Sequence, residues 1–139
     1  MRQAQHTIEF STPGRGLYPL TLRVAEWVGR IKATQGLLTL FLQHTSASLL
    51  IQENADPAVL ADLERFFSKL VKDGDSMFAH VEEGDDDMPA HVRAALTQTF
   101  LSIPVAEGKL ALGTWQGLYL YEHRFKPHDR CVVLHYLGE

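Results

Sequence analysis

A chain of 139 residues with 45% hydrophobic and 22% charged positions is long enough to bury roughly two thirds of its unfolded surface, which argues against disorder and makes one domain the expectation. Thirteen Lys and Arg against seventeen Asp and Glu leave a net charge of −4, so no broad positive field is available to hold nucleic acid. The longest apolar run, Leu37 to Leu42, is too short to cross a bilayer, Met1 to Ser11 lacks the charged-then-apolar order of an export signal, and Cys131 is the single cysteine, so a cytoplasmic protein with no membrane partner is expected.

Ile8 and Phe10 alternate with Thr7 and Glu9, the period of a half-buried strand, and Thr12 to Gly16 breaks it. From Thr21, read as an N-cap, the residues Val24, Trp27, Val28 and Ile31 recur at helical spacing until Gln35-Gly36. Leu37 to Gln43 reads as a strand buried on both faces, followed by the polar corner His44-Thr45-Ser46 and a second short strand around Leu49 to Ile51. Asp56-Pro57 starts a helix, with Asp as cap and Pro at the first position, and Leu60, Leu63, Phe67 and Leu70 share one face.

Lys72 to Asp87 turns polar and acidic, with Gly74 and Gly84 as breakers, and reads as a loop delivering His80. Pro89 opens a third helix, with Val92, Ala95 and Leu96 as its apolar side. The remainder reads as an antiparallel meander with runs near Leu101 to Val105, Lys109 to Leu112, Leu118 to Tyr121 and Arg130 to Leu137. These elements predict a single α+β domain spanning residues 1–139, a curved and mostly antiparallel sheet with helices packed on one side.

Seven histidines stand in the chain. His6 and His135 fall in strand patterns and His128 in a polar turn, so each reads as a hydrogen-bonded or solvated side chain; His44, His80, His91 and His123 stand at the ends of elements. His80 on the acidic loop, His91 in the first turn of the third helix and Asp87 (or its neighbour Asp86) form a donor set suited to a divalent metal, zinc or magnesium. The competing expectation is that the aspartates cap the helix and oppose its dipole.

His44, Thr45, Ser46 and Ser48 form a second constellation, read as ligand-binding or structural, with His44 as a proton or hydrogen-bond donor and Glu53 and Asn54 nearby in sequence. No strained elbow surrounds Ser46 or Ser48, which argues against a serine nucleophile. The third is the strand ending Glu122-His123-Arg124. Alternation puts Leu118, Leu120, Glu122 and Arg124 on one face and Tyr119, Tyr121 and His123 on the other. If the leucines point inward, Glu122 and Arg124 need partners. The functional alternative gives Arg124 to a phosphate, with Glu122 and His123 holding a proton or a metal. Gln116 and Trp115 add an amide and a flat wall in the turn between Gly113 and Gly117.

Gly113-Thr114-Trp115-Gln116-Gly117-Leu118-Tyr119-Leu120-Tyr121-Glu122-His123-Arg124, together with Gln43-His44-Thr45-Ser46-Ala47-Ser48 and Glu83-Gly84-Asp85-Asp86-Asp87-Met88-Pro89-Ala90-His91, resembles the YjbQ family over nearly the whole chain. The resemblance implies an α+β fold, a homotrimer and a secondary thiamine-phosphate synthase reaction. In that reaction a pyrimidine-methyl diphosphate is attacked by the nitrogen of a thiazole phosphate and diphosphate leaves. A divalent cation with Arg124 or Arg15 would neutralise the leaving group, with His44 or His123 donating a proton or hydrogen bond. Position 55 is Ala55 where some relatives have cysteine, which excludes any mechanism needing that thiol. The alternatives are a trimeric module that binds a metal or anionic metabolite without turnover, then a metal-assisted hydrolase using Glu122 or an aspartate as base.

Overall fold

The computed structural model describes residues 1–139. In chain order the elements are β1 (Arg2–Thr12), β2 (Gly16–Pro19), α1 (Thr21–Arg30), β3 (Gly36–Leu42), β4 (Ala47–Glu53), α2 (Pro57–Leu70), α3 (Asp87–Leu96), β5 (Phe100–Ala106), β6 (Lys109–Leu110), β7 (Gln116–Glu122) and β8 (His128–Gly138). All strand pairs are antiparallel. They form a five-stranded layer in the order β1-β8-β3-β5-β6 and a three-stranded layer in the order β2-β7-β4. The α+β domain with an antiparallel sheet is as the sequence patterns predict. No helix is long and apolar enough to cross a membrane.

Period-two alternation explains the layering. Leu38, Leu40 and Leu42 of β3, Leu101, Ile103 and Val105 of β5, and Val132, Leu134 and Tyr136 of β8 point to one side and meet Leu49 of β4 and Leu118 and Leu120 of β7. Val24, Trp27 and Val28 of α1 complete this core. On the opposite face of β7, Tyr119 and Tyr121 are also buried, with the Tyr121 ring packed edge-on against Phe67 of α2. Thus β7 is covered on both faces, and β3 on one only: Leu37 and Phe41 remain exposed, contrary to the doubly buried strand expected there, because no element of the chain covers the outer face of the larger layer.

Other local expectations shift for identifiable reasons. Thr21 does not cap α1; Leu20 is the N-cap residue, and the Thr21 hydroxyl instead accepts the Leu118 amide at 2.9 Å. Asp56 caps α2 as expected, accepting from the Ala58 amide at 2.9 Å. The inward side of α3 is Asp87, Pro89, Ala90 and Arg93, not Val92, Ala95 and Leu96; Arg93 turns inward to pair with Glu64 of α2. The carboxy-terminal strands are not a meander: β7 crosses to the smaller layer, and β8 inserts between β1 and β3.

One buried ion pair ties the layers together. Glu122 closes β7 in phase with Leu118 and Leu120, and Arg130 opens the inward row of β8; both side chains lie in the interior. Glu122 Oε1 accepts from Arg130 Nε at 2.7 Å and from the Thr12 hydroxyl of β1 at 2.6 Å. Its Oε2 accepts from Arg130 Nη2 and from the amides of His123 and Arg124, the amides at 3.0 and 3.1 Å. Burial pushes the Glu122 carboxyl up, but Arg130 and Thr12 outweigh it and hold it below the usual carboxylate range. Glu122→Gln leaves the guanidinium buried without its counter-charge and is expected to cost about 3–5 kcal/mol, read as a lowered urea midpoint. Adding Arg130→Met removes the orphaned charge, so the double variant is expected to be more stable than Glu122→Gln alone.

Candidate metal centre and adjoining cleft

Asp87 and His91 lie one turn apart on α3, the spacing that places two side chains on one face of a helix. The acidic loop brings His80 to them. Its base is closed by the Gly74 amide donating to the Asp85 carbonyl at 3.0 Å, and it turns back toward α3 at Gly84, whose φ of 109° favours glycine. The resulting separations are 2.9 Å from His80 Nε2 to Asp87 Oδ2 and 3.4 Å from His91 Nε2 to the same oxygen. One donor atom from each of the three residues lies within 4.8 Å of the others.

Outer contacts orient these donors. His91 Nδ1 donates to the Thr45 carbonyl at 2.9 Å, which leaves Nε2 as the bare nitrogen facing Asp87. Arg124 Nη1 holds Asp87 Oδ1 at 2.7 Å, turning Oδ2 toward both imidazoles. Burial opposes ionisation of Asp87, but surrounding hydrogen bonds and the Arg124 charge hold its carboxyl below the usual range. The Glu83 and Asp87 hydrogen bonds raise His80.

Two imidazoles and a carboxylate are donors of the kind that hold a tetrahedral ion. Bonds of 2.0–2.2 Å imply ligand atoms about 3.3–3.6 Å apart, which matches the His91–Asp87 separation; the shorter His80–Asp87 contact is a hydrogen bond that a cation would replace. Two imidazoles favour zinc or another first-row ion over magnesium. Three protein ligands leave one position open.

Arg124 is occupied by the acidic loop. Besides Asp87, its Nε donates to Asp86 Oδ2 at 3.0 Å and its Nη2 to the Glu83 carbonyl at 2.8 Å. Its fork therefore faces protein and not an incoming phosphate. Asp86 also accepts from the Phe125 amide at 2.8 Å. The expected capping role goes unfilled, since Asp86 stands at the N-cap without capping the helix. Arg15 is likewise engaged, in a two-pronged pair with Asp73.

Beside the metal donors, an open cleft of about 490 Å³ runs along the end of β3, lined by residues including His44, Thr45, Ser46, Thr99 and Arg130. Thr45 belongs to both sites, its carbonyl holding His91 while its side chain faces outward. Ser46 Oγ accepts from Arg130 Nη2 at 2.9 Å. Burial and the Arg130 charge lower the pKa of His44. The His44 corner, the acidic loop and Arg124 beyond the end of β7 thus lie together, through the Thr45–His91 and Arg124–Asp87 hydrogen bonds.

Five expected site residues stand elsewhere. Ser48 Oγ and His123 Nε2 meet at 2.9 Å across β4 and β7, but neither side chain has exposed surface. His123 Nδ1 has no partner, so nothing orients the ring as a nucleophile's base requires. Glu122 is equally closed to a substrate. Asn54 and Gln116 sit at the opposite end of the β4–β7 ladder, where Glu53 pairs with Gln116 while Ala47 pairs with Glu122, roughly 20 Å away at about 3.3 Å per residue. There Asn54 Nδ2 donates to the Thr114 carbonyl and Gln116 Oε1 accepts from the Gly113 amide, at 3.0 and 2.8 Å. They hold the turn.

The sequence reading passed over Arg130 and Arg93. Arg130 is in phase with Val132, Leu134 and Tyr136, so a cation on the apolar side of a strand was the signal, matched by Glu122 on β7. Arg93 is fully buried beneath α3, where Nη1 donates to Glu64 Oε1 at 3.0 Å, and Glu64 also accepts from the Tyr121 hydroxyl. Nothing in the spacing of α3 points to that pair, because Glu64 reaches it from another helix.

The His123 environment has a pH consequence. Burial first, and the Arg93 charge second, push its pKa down to about 3 from 6.5. Below 6.5 the unfolded chain takes up a proton that the native ring refuses, so stability falls as pH drops through that window. The stability advantage of the wild type over His123→Gln is expected to shrink by about 2 kcal/mol between pH 7 and pH 5, at 1.36 kcal/mol per unit, measured by urea unfolding at each pH. An unchanged gap would mean that His123 is protonated in the native chain.

Comparison with known proteins gives a consistent picture. The family model described as "UPF0047 protein YjbQ-like" matches residues 6–139. A UPF0047 protein from Synechocystis sp. is 49% identical over 138 residues, covering 99% of this chain and 94% of that one. The UPF0047 protein YjbQ of Salmonella typhimurium is 42% identical over 136 residues, covering 97% and 98%. The crystal structure of a conserved hypothetical protein from Thermus thermophilus superposes with a TM-score of 0.86 at 32% identity, covering 95% of this chain and 99% of that one. With the match running through the histidine corner, the acidic loop and the strand that ends at Glu122, the chain belongs to the YjbQ (UPF0047) family.

Proposed function

We propose that this chain is a metal-dependent enzyme acting on a phosphorylated small molecule, of the coupling type that the family resemblance implies: a pyrimidine-methyl diphosphate joined to a thiazole phosphate with loss of diphosphate. The observation that supports it is the triangle of His80, Asp87 and His91, preorganised by Arg124 and Thr45 and bordered by a cleft. In such a transfer the bound cation would neutralise charge developing on the leaving diphosphate. The chain's residues do the rest: His91 and Asp87 are held rigid on α3, His80 closes the site from the loop, and His44 offers a neutral imidazole as hydrogen-bond donor.

A metal- or metabolite-binding module without turnover is the second reading. It is favoured by the burial of Glu122 and His123, which removes two of the groups best suited to move a proton. Metal-assisted hydrolysis, with Glu122 or an aspartate as base, stands below both, because the Glu122 carboxylate is filled by hydrogen bonds and Asp86 and Asp87 are held by Arg124. Incubation with both thiamine precursors separates them: coupled product supports the synthase, consumption of one substrate the hydrolase, and metabolite binding without product the module.

Elemental analysis of the untagged protein is expected to give about one zinc per chain, with His80→Ala and His91→Ala each losing most of it. Full metal content in both variants would end the assignment.

The working form is proposed to be a cytoplasmic homotrimer. Self-association is supported by the uncovered outer face of the larger layer, where Phe41 pairs with Phe100 and Leu37 with Leu137, all four exposed in the single chain; the trimer itself is what the family resemblance implies. Light scattering is expected to give about three times the chain mass of 15.6 kDa, and Phe41→Asp to shift it toward one chain. A single-chain mass for the wild type would remove the trimer.

A further inference from the structure

The polar atoms at the floor of the cleft do not satisfy one another. The Cys131 amide donates to His44 Nε2 at 2.8 Å. A backbone N–H can only donate, so Nε2 is bare, the ring is neutral, and the remaining proton is on Nδ1. Arg130 Nη1 lies 3.4 Å from that Nδ1. A guanidinium nitrogen carries hydrogens and accepts nothing, so this contact sets two donors side by side with no acceptor between them. The other Arg130 nitrogens are committed, Nε to Glu122 and Nη2 to Glu122 and Ser46, and Nη1 makes no other hydrogen bond.

We propose that this donor pair is an oxyanion subsite, in which one phosphoryl or carboxylate oxygen bridges Arg130 Nη1 and His44 Nδ1. Two donors 3.4 Å apart fit a single acceptor at about 2.8 Å from each. Arg130 is 3% exposed and His44 half-buried, so the donors are fixed before the ligand arrives and the cleft supplies the entrance. Because Glu122 offsets the charge of Arg130, recognition comes from aimed N–H groups more than from net charge. This deepens the proposed function by assigning the anionic group of the substrate to Arg130 and His44, in place of Arg124, whose fork is filled by the acidic loop. Thr45 connects the subsite to the metal donors, so one small molecule can span both.

The test uses the full-length protein stripped of metal with a chelator, which removes the cation as a competing anchor. Radiolabelled inorganic phosphate is the probe, in equilibrium dialysis. Saturable binding to the wild type is expected, and His44→Met is expected to weaken it tenfold or more. That variant supplies the thioether sulfur as a weak acceptor for the Cys131 amide and carries no donor; an unshifted thermal midpoint establishes that it folds. His80→Ala is expected to bind phosphate like the wild type. Displacement of phosphate by acetate would mark a general oxyanion site, and failure of acetate to compete would mark a phosphoryl site; either supports the proposal. No saturable binding to the wild type, equal binding by His44→Met, or loss in His80→Ala would overturn it. Failure of the metal assignment has a separate signature: no zinc in the purified protein while phosphate still binds.

Discussion

The Glu122–Arg130 pair is the constraint from which the rest of the architecture follows. An ion pair in an apolar interior survives only if every charge and lone pair is met, and here that requirement draws in four segments. Thr12 comes from β1, Ser46 from the corner before β4, the His123 and Arg124 amides from the end of β7, and Arg130 from β8. Both layers must therefore close at this end with one register. A one-residue slip of β7 or β8 would turn a charge outward and leave its partner unpaired. The pair contributes specificity of arrangement more than net stability, since burying two charges costs much of what their attraction returns.

That fixed end determines where chemistry can occur. The chain leaves β7 through Arg124, whose amide is tied to Glu122 while its guanidinium clamps Glu83, Asp86 and Asp87. The metal donors are therefore referenced to the buried pair through a single residue. His91 is referenced to it along a second route, through the Thr45 carbonyl next to Ser46. Two independent restraints on two side chains of one helix are what keeps a donor set near productive geometry. His80 differs, being half exposed on a loop while the Asp87 side chain is 2% exposed. Of the three candidate donors, Asp87 and His91 are thus part of the frame and His80 is an arm.

Much of this was legible in the sequence, and the failures share one cause. The Asp56-Pro57 start, the alternation of β1 and the polar corner follow from local rules, and the joint presence of His80, Asp87 and His91 follows from donor chemistry. The partners of charged residues do not. Glu122 needs a cation by its phase on β7, but only the topology reveals that β8 provides it, because β8 inserts between β1 and β3. Likewise, Arg124 looked like a free fork because its three acceptors lie far earlier in the chain, on the acidic loop and at the start of α3. Asn54 and Gln116 look like site residues by proximity in sequence to His44 and His123, yet the antiparallel register carries them to the far end of the ladder. Spacing along a strand gives phase; it gives no distance between strands.

The histidine corner shows why a single residue's protonation can be read from its neighbours. His44 accepts from a backbone amide, so protonating it would force an N–H against an N–H and orphan the Cys131 donor. That cost adds to the burial and the Arg130 charge that already lower its pKa. With Nε2 accepting the Cys131 amide, the proton of the neutral ring is on Nδ1, which faces the one uncommitted nitrogen of Arg130. A general acid in this position would be a poor one, because losing the Nδ1 proton would leave an imidazolate. A group that donates a hydrogen bond without giving up the proton is suited instead to stabilise negative charge on an oxygen that stays where it is. On the proposed reading, His44 and Arg130 would recognise the anion, while the adjacent candidate metal donors would neutralise its charge.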